Sequence, residues 1–403
     1  MRRVAITGLG IVSSLGTSVA EVSVSLREGK SGIVADAKRL ALGFLSPLTG
    51  AIPEFSPSHP LTRKQKKTMP LFAQWAAEAA FQAIAQSGLT TEALQSEDTG
   101  LIFGCDSSAL AAIEQTGLLL EHGNTTSLGS GLVFQSMTSC VTMNLNTIFG
   151  TRGACWSVSA ACASGGHAVG QAADLITLGR QKRIVCGGAQ EINWQSMCSF
   201  DALGAFSTNK NPAQASRPFD KDRDGLVPSG GAAALVLEDY EEAQQRGAVI
   251  LGVVAGYGFS SDGENISAPS RTGMGRAMRM ALQNARLAPA DISYVCAHAT
   301  STPVGDSMEA ANILAVFGPK GVPISSTKSM TGHELWMSGA SQVVYTTIMA
   351  REGFLAPNCN FASPDEHSAH LDIISTPRDA RIQAAVCNAA GFGGTNSSLV
   401  LIY

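Results

Sequence analysis

The chain has 403 residues, of which 45% are hydrophobic and 15% charged, and it contains 42 glycines. This composition is too apolar for a disordered protein, and the length exceeds what one core usually supports, so we expect one large or two fused α/β units. The net charge of −4 gives no reason to expect nucleic acid as a partner, and without a run of about 18 apolar residues no membrane span is expected.

The nine cysteines are scattered along the chain, odd in number and without a CxxC pair. A disulfide framework is unusual on so long a chain, and no zinc-type spacing is present, so we expect no metal site. This cysteine pattern favours a reducing cytoplasm.

The chain opens with RRVAITGLGIVSSLG, which predicts a strand over residues 3–7 that ends in a glycine turn rather than a signal peptide. A helical pattern follows over 70–88, and a buried strand over 99–106. These alternating elements predict an α/β fold with sheets covered by helices on both faces.

A second segment, GAVILGVVAGYGFSSDG, restarts the same plan after the charged helical stretch EDYEEAQQRGA. A helix is predicted over 273–287 and a strand over 292–300. We therefore expect two pseudo-duplicated halves, 1–245 and 246–403, fused into one body; chance similarity between two α/β segments is the alternative.

Cys162 lies in SVSAACASGG, a run of small residues. Two interpretations fit: close packing around an inert cysteine, or an open approach to a nucleophilic sulfur. The segment after Cys162 reads as a helix, so its N-terminal N–H groups and dipole are expected to lower the pKa of the thiol and to hold an oxyanion.

Two histidines follow strand-like segments: His298 ends SYVCAH, and His333 comes after VPISST. Strand ends face the cleft of an α/β protein, although each histidine alone is more often structural. Lys328 and Glu309 are candidates to orient them, with independent surface charges as the default interpretation. His167, five residues after Cys162, is expected to be structural.

Six segments, taken together and in this order, resemble the β-ketoacyl-acyl-carrier-protein synthases, condensing enzymes of the thiolase fold, and above all synthase I. The segments are VAITGLGIVSSLG, SAACASGGHAVG, SRPFDKDRDGLVPSGG, HATSTPVGD, STKSMTGH and NAAGFGGTN. The resemblance covers nearly the whole chain. It implies a layered α-β-α-β-α architecture, with the nucleophilic cysteine in 1–245 and the two catalytic histidines in 246–403.

The resemblance implies a decarboxylating condensation in fatty-acid or type II polyketide or polyene chain elongation. Cys162 would hold the acyl chain as a thioester, and His298 and His333 would stabilise the enolate formed from malonyl carrier protein. Lys328 and Glu309 would shape the electrostatics around the histidines. No cofactor is implied, because the substrates travel on the phosphopantetheine arm of acyl carrier protein.

Further roles implied by the resemblance concern the rim of the site and the partners. The N–H groups of Cys162 and Phe392 would form the oxyanion hole, and Phe392 would gate the pocket by hinging on Gly391, Gly393 and Gly394. Thr300 and Thr302 match threonines that contact pantetheine. The basic run that would dock the acidic carrier protein comprises Arg63, Lys64, Lys66 and Lys67. The resemblance also implies a homodimer, with a heterodimer of synthase-like subunits as the alternative.

This chain departs from the family pattern at several positions: Ala299, Ala390, Glu334, Trp336 and Met337. The last three lie in GHELWMSGA, where the family has small residues. Compensated packing and a pocket or dimer contact reshaped for an unusual acyl chain, such as a polyene, both fit.

Three other functions fit the sequence less well. A chain-length factor, a non-catalytic subunit that partners a ketosynthase, typically lacks the cysteine and often a histidine, whereas Cys162, His298, His333 and Lys328 are all present. A thiolase carries a second cysteine near the C-terminal glycine turn, but Cys387 precedes GFGG and does not occupy that position. Nothing resembles a cysteine-hydrolase signature.

Overall fold

The computed structural model of this protein describes residues 2–403. Its β-strands are β1 (Val4–Val12), β2 (Ile33–Ala35), β3 (Leu48–Gly50), β4 (Thr99–Gly104), β5 (Cys155–Val158), β6 (Arg183–Gln190), β7 (Gly231–Asp239), β8 (Gly252–Ser261), β9 (Tyr294–Cys296), β10 (Pro323–Ser325), β11 (Phe354–Leu355), β12 (Asp372–Ile373), β13 (Arg378–Asp379), β14 (Ala384–Gly391) and β15 (Thr395–Ile402).

The α-helices of the same range are α1 (Val19–Glu28), α2 (Ala37–Ala41), α3 (Arg63–Lys66), α4 (Leu71–Ser87), α5 (Thr91–Leu94), α6 (Ala109–His122), α7 (Leu132–Gln135), α8 (Cys140–Phe149), α9 (Ser164–Thr177), α10 (Trp194–Ala202), α11 (Pro212–Ala215), α12 (Tyr240–Gln245), α13 (Gly273–Ala285), α14 (Pro303–Phe317), α15 (Lys328–Thr331) and α16 (Ser338–Glu352). No helix among residues 2–403 is long and apolar enough to cross a membrane.

One mixed sheet of eleven strands has the order β12-β10-β9-β14-β15-β8-β1-β7-β6-β4-β5. Its centre is the antiparallel pair β1 and β8. On one side, β7 pairs antiparallel with β1 and β6, and β4 and β5 continue in parallel. On the other side, β15 pairs antiparallel with β8 and β14, and β9 and β10 continue in parallel. The two sides therefore share one strand plan, which agrees with the pseudo-duplication read from the sequence.

The opening strand is longer than predicted. We expected residues 3–7 followed by a turn, but β1 continues through Gly8 and Gly10 to Val12. A Cβ on Gly8 would lie 2.0 Å from the carbonyl oxygen of Ala83 in α4. A Cβ on Gly10 would lie 1.8 Å from that of Ala79. These glycines therefore allow a helix to approach the strand rather than turning the chain.

The second half uses the same packing device. In β8, a Cβ on Gly256 would lie 2.2 Å from the carbonyl oxygen of Ala281, and a Cβ on Gly258 would lie 2.0 Å from that of Ala277. Both alanines belong to α13, as Ala79 and Ala83 belong to α4. The repeated glycine spacing thus places one outer helix against each side of the sheet.

Three apolar cores hold the five layers together: a central core around the middle helices and an outer core on each side. Helix α4 packs on the β1–β7–β6–β4 side, in a core that includes Phe72 of α4 and Val185 of β6. Helices α9 and α16 contribute Val169 and Val344 to a central core shared with strands of both sides. Helix α13 covers the other side through residues such as Met278. This is the layered α-β-α-β-α arrangement that was expected.

Close packing explains the small residues around Cys162. A Cβ on Gly339 of α16 would lie 2.3 Å from the backbone nitrogen of Gly166 in α9. A Cβ on Gly104, at the end of β4, would lie 2.4 Å from the nitrogen of Gly165. Within SVSAACASGG itself, a Cβ on Gly166 would lie 2.2 Å from Oγ of Ser397 and one on Gly165 would lie 3.0 Å from the nitrogen of Ala340, so close packing accounts for both glycines.

Candidate active site

A cavity of about 380 Å³ opens beside Cys162. Most of the residues singled out in the sequence line it: Cys162, His298, Thr300, Thr302, Glu309, His333, Gly391 and Phe392. Cys162 comes from the N-terminal half of the chain and the others from the C-terminal half. The cavity therefore lies where the two halves meet.

Cys162 is held in a sharp turn between β5 and α9. Its 3-10 helix, Ala161–Ala163, begins with Ala161 at φ 45°, a left-handed conformation that costs an alanine about 1–2 kcal/mol. Ser164 stabilises this turn, because its hydroxyl accepts from the N–H of Ala160 at 2.8 Å and donates to the carbonyl of Ala161 at 2.6 Å. The helix α9 begins at Ser164, so the segment after Cys162 is helical, as predicted.

The expected lowering of the pKa of the Cys162 thiol is wrong. Burial raises the pKa of Cys162 to about 12, and the charge of Lys328, which lowers it, does not offset this effect. The carboxylate of Asp106 raises the pKa further. Because Cys162 is 6% exposed, desolvation of the thiolate outweighs the helix terminus.

Glu309 of α14 fixes the backbone at His298. Its carboxylate accepts the N–H of His298 at 2.9 Å and that of Ala299 at 2.6 Å. Asn388 of β14 donates to the same carboxylate at 3.1 Å. These bonds take the chain out of the sheet after Cys296, so β9 is shorter than the predicted strand 292–300.

His333 follows α15 and faces His298. The ring centroids lie 5.2 Å apart and the planes are nearly perpendicular, at 88°. Nδ1 of His333 lies 3.2 Å from the hydroxyl of Ser338. Nearby, the Lys328 ammonium donates to the side-chain carbonyl of Gln342 at 3.3 Å.

Both histidines are neutral at physiological pH. Burial lowers the pKa of His298 and of His333 well below the usual value, and the positive charge of Lys328 lowers both further. A neutral imidazole carries one N–H donor, which suits it to stabilise a developing oxyanion. A thiol and two such donors around one cavity can therefore form a thioester and stabilise an enolate.

Comparison with known proteins agrees with this chemistry. Residues 1–243 match the family model "Beta-ketoacyl synthase, N-terminal domain", and residues 251–362 match "Beta-ketoacyl synthase, C-terminal domain". The chain belongs to the β-ketoacyl synthase family. It is a condensing acyltransferase.

Individual relatives cover the whole length of this synthase. The 3-oxoacyl-[acyl-carrier-protein] synthase 1 of Haemophilus influenzae is 39% identical over 99% of this chain and 98% of its own. A crystal structure of a β-ketoacyl synthase from Burkholderia phymatum is 34% identical with a TM-score of 0.94, covering 100% of this chain and 99% of its own. The ishigamide ketosynthase/chain length factor is 29% identical with a TM-score of 0.92, over 100% and 99%.

The loop that carries Thr300 and Thr302 depends on a residue that sequence reasoning missed. Asp306, buried at the start of α14, accepts the N–H groups of Thr300 at 3.0 Å and Thr302 at 3.2 Å. It also accepts the N–H of Phe219 at 2.8 Å. The signal was present in the sequence, because an acidic residue in the first turn of a helix caps preceding N–H groups.

Phe392 lies at the cavity mouth in the synthase. Its ring is 38% exposed and lies 6.2 Å from that of Phe200. Gly393 and Gly394, which follow it, have φ of 81° and 76°, conformations that favour glycine. Gly391 lines the cavity, whereas Gly393 does not.

The remaining predicted residues lie outside the cavity. Lys328 is buried behind it. The basic residues Arg63, Lys64, Lys66 and Lys67 are exposed on and just after α3, which begins with a Thr62–Gln65 capping box.

His167 is structural in the synthase, as expected. Its ring bonds the hydroxyls of Tyr257 and Thr395 at 2.6 and 2.8 Å, and burial lowers its pKa to about 4. The histidine thus joins α9 to β8 and β15, away from the reacting groups.

The departures from the family pattern lie beside the site, and all except the half-buried Ala390 are buried. Trp336 is 6% exposed, belongs to the same apolar cluster as Cys162, and donates to the hydroxyl of Ser107 at 3.3 Å. Glu334 is 1% exposed. Ala299 and Ala390 line the cavity.

Proposed function

We propose that this synthase joins an acyl chain, held as a thioester on Cys162, to a malonyl unit carried by acyl carrier protein, with loss of carbon dioxide. The observation that carries the proposal is the single cavity that brings Cys162, His298 and His333 together. The product is a β-ketoacyl chain two carbons longer, still attached to the carrier protein.

In the first step, the Cys162 sulfur attacks the thioester carbonyl of the acyl carrier protein, and the pantetheine thiol leaves. The acyl group now forms a thioester with Cys162. The N–H groups of Cys162 and Phe392 hold the negative oxygen of the tetrahedral intermediate. Because burial raises the pKa of the Cys162 thiol to about 12, its proton is not lost beforehand but passes to the departing pantetheine sulfur during the exchange.

In the second step, the malonyl carboxylate leaves as carbon dioxide and its electron pair forms an enolate. His298 and His333 donate N–H hydrogen bonds to the enolate oxygen. For His333, Nδ1 lies 3.2 Å from the Ser338 hydroxyl, and in the tautomer this step requires the hydroxyl donates to Nδ1 while Nε2 carries the proton. The enolate carbon then attacks the acyl carbonyl, and the Cys162 thiolate leaves.

Thr300 and Thr302 contact the pantetheine arm in this proposal. Both line the cavity and lie on the loop that Asp306 holds, and their hydroxyl oxygens are 3.1 Å apart. Phe392 gates the mouth by movement at its neighbouring glycines. No metal or other cofactor takes part in this chemistry, since carrier proteins deliver both substrates.

The carrier protein docks on the basic residues of α3. Arg63, Lys64 and Lys67 are exposed, and a cluster of cations attracts an acidic partner even though the whole chain carries −4. The name of the Haemophilus relative includes acyl carrier protein, which supports the same partner for this chain.

The enzyme works in the cytoplasm. Its two halves divide between residues 245 and 246, directly after α12.

The synthase forms a homodimer through the β5 edge of its sheet. Trp156 on that edge strand is 40% exposed, and Val133 and Phe134 of α7 are 50% and 44% exposed. An open sheet edge beside exposed apolar side chains is a surface that a second chain covers. The ishigamide relative pairs a ketosynthase with a chain length factor, so a heterodimer is the alternative outcome of an association experiment.

The deciding experiment is intact mass after incubation with a panel of acyl carrier proteins bearing saturated, unsaturated or aryl-primed chains. We expect an acyl adduct on wild type and on Cys198→Ala, a control at an exposed cysteine. We expect none on Cys162→Ala. The preferred adduct identifies the substrate class.

The histidines are tested with the same preparation. His298→Ala and His333→Ala should still accept an acyl group on Cys162 but release no carbon dioxide from malonyl carrier protein. An absence of adduct on wild type with every carrier would contradict an autonomous synthase.

A further inference from the structure

A buried carboxyl group beside the active site has no part in the steps above. Glu334 follows His333 directly and is 1% exposed. The Ser341 hydroxyl donates to Oε2 and the Tyr345 hydroxyl donates to Oε1, each at 2.6 Å. Distances this short are typical of hydroxyl donors to an ionised carboxylate.

One face of α16 holds this carboxyl together with two groups of the active site. Ser338, Ser341, Gln342 and Tyr345 are spaced i, i+3, i+4 and i+7, which places them on the same face of a helix. Ser338 bonds His333, Gln342 bonds Lys328, and the other two bond Glu334. A polar stripe on so buried a helix is costly unless its groups are paired, and here each of the four side chains has a partner in or beside the active site.

The group on this face that most needs a partner is Lys328. Its side chain is 1% exposed, and its ammonium donates to the neutral carbonyl of Gln342. A buried cation requires negative charge nearby. Glu309 also supplies negative charge, but its carboxylate accepts the N–H groups of His298 and Ala299. Glu334 is bonded by the same face of α16 that carries Gln342, the partner of Lys328.

We infer that Glu334 is a positioning residue of this active site, whose carboxylate keeps the Lys328 ammonium charged beside Cys162 and the two histidines. The inference rests on the proposed condensation. The charge of Lys328 in turn stabilises the anions of that reaction, the Cys162 thiolate and the enolate. Glu334 belongs to GHELWMSGA, the segment of this chain that departs from the pattern of the family.

The charges around these groups give the sign of the effect. Burial lowers the pKa of Lys328, and Cys296, Glu334, Glu309 and Cys162 raise it. Burial raises the pKa of Glu334 to about 7, while hydrogen bonds from Ser341 and Tyr345 and the charge of Lys328 lower it; Cys296 raises it. Around neutral pH and above, Glu334 is therefore increasingly ionised and holds the proton on Lys328.

Replacing the carboxylate must change activity in a pH-dependent way. In Glu334→Gln the pKa of Lys328 falls, so Lys328 loses its charge at a lower pH than in wild type. We expect the alkaline limb of kcat/KM for condensation to move to lower pH by about one unit. At pH 6, where Glu334 with a pKa of about 7 is itself mostly protonated in wild type, the activity of Glu334→Gln should approach that of wild type.

Three variants separate charge from structure. Glu334→Asp keeps the charge and should retain the alkaline limb even with reduced activity. Tyr345→Phe removes a hydrogen bond but no charge and should also retain it. In a Lys328→Met background, Glu334→Gln should change neither the pH profile nor the rate, because its target is gone.

The measurements are kcat/KM from pH 6 to 10 and the rate at which iodoacetamide alkylates Cys162, followed by intact mass. The same fractional loss at every pH in Glu334→Gln, or an added loss in the Lys328→Met background, would overturn the inference. If Glu334→Gln does not fold, Glu334→Asp serves instead. A shift of its alkaline limb to lower pH by about one unit relative to wild type, although the charge is kept, would overturn the inference as well. Alkylation requires no carrier protein, so a failure of the proposed condensation would be seen separately as absent acylation.

Discussion

Cys162 illustrates how neighbouring groups set the chemistry of a single residue. A helix N-terminus and a nearby ammonium both favour a thiolate, yet burial raises the pKa to about 12. The buried thiol should therefore react only slowly with alkylating agents at neutral pH. Its reactivity depends on what binds, not on a standing thiolate.

Alkylation of Cys162 should depend on Lys328 and on pH. Because the Lys328 charge lowers the pKa of Cys162, Lys328→Met should slow iodoacetamide alkylation about tenfold at pH 8, the equivalent of about one pKa unit. In wild type the rate should rise steadily from pH 7 to pH 10. Exposed Cys198 provides the internal control, and an unchanged rate at Cys162 would contradict the electrostatic role of Lys328.

A substitution of Trp336 tests the two interpretations of GHELWMSGA, which are compensated packing and a pocket reshaped for an unusual acyl chain. Its indole packs in the apolar cluster of Cys162 and lies 6.5 Å from the ring of Phe200. We expect Trp336→Gly to lower the free energy of unfolding by about 3–5 kcal/mol and to allow longer acyl chains on Cys162. Urea denaturation and intact mass with carriers of graded chain length measure both effects, with Ser107→Ala as the control.

A loss of stability without any change in chain length would instead support compensated packing. That result would assign Trp336 to the core of this subgroup and leave the substrate to be set elsewhere in the cavity.

At the scale of elements, the glycine pairs join the layers of the molecule. Gly8 and Gly10 allow α4 to pack closely against the sheet, and Gly256 and Gly258 do the same for α13. The sequence predicted both helices within about two residues, since their apolar spacing is a local property. It predicted the wrong end for β1, because the sequence does not distinguish a glycine in a turn from a glycine that allows a helix to pack closely against a strand.

Two helical glycines should respond oppositely to the same substitution. In Gly339→Ala the new methyl group would lie 2.3 Å from the backbone of Gly166, so α9 and α16 must separate and we expect a loss of more than 3 kcal/mol or no folded protein. Gly117 of α6 has nothing within 4 Å of a Cβ, so Gly117→Ala should stabilise by up to about 1 kcal/mol. Thermal unfolding compares them directly, and equal effects would contradict the packing of the central helices.

At the scale of the whole molecule, the duplicated plan builds the site. The first half contributes Cys162 after β5, and the second half contributes His298 and His333 after β9 and α15. These three residues are 171 positions apart at most, from 162 to 333, yet they line one cavity. In the proposed reaction, the nucleophile and the groups that stabilise the enolate therefore come from different halves.

Self-association should depend on the open sheet edge. We expect Trp156→Asp to convert a dimer into a monomer, because a charge replaces a large apolar side chain on β5. Light scattering after size-exclusion chromatography measures the mass, and Val24→Asp, at a 55% exposed valine on α1, is the matched control. A monomeric wild type would instead direct attention to a synthase-like partner, and a dimeric Trp156→Asp would exclude this edge as the interface.

The sequence by itself determined the family, the duplicated order of strands and helices, and the identity of Cys162, His298 and His333, because motif spacing and periodicity are local. The tertiary structure alone decided the protonation of these groups. Burial reversed the expected pKa of Cys162 and made both histidines neutral. It also brought Asp306, Gln342 and Glu334 to the site, since desolvation and contacts between distant segments exist only in the folded chain.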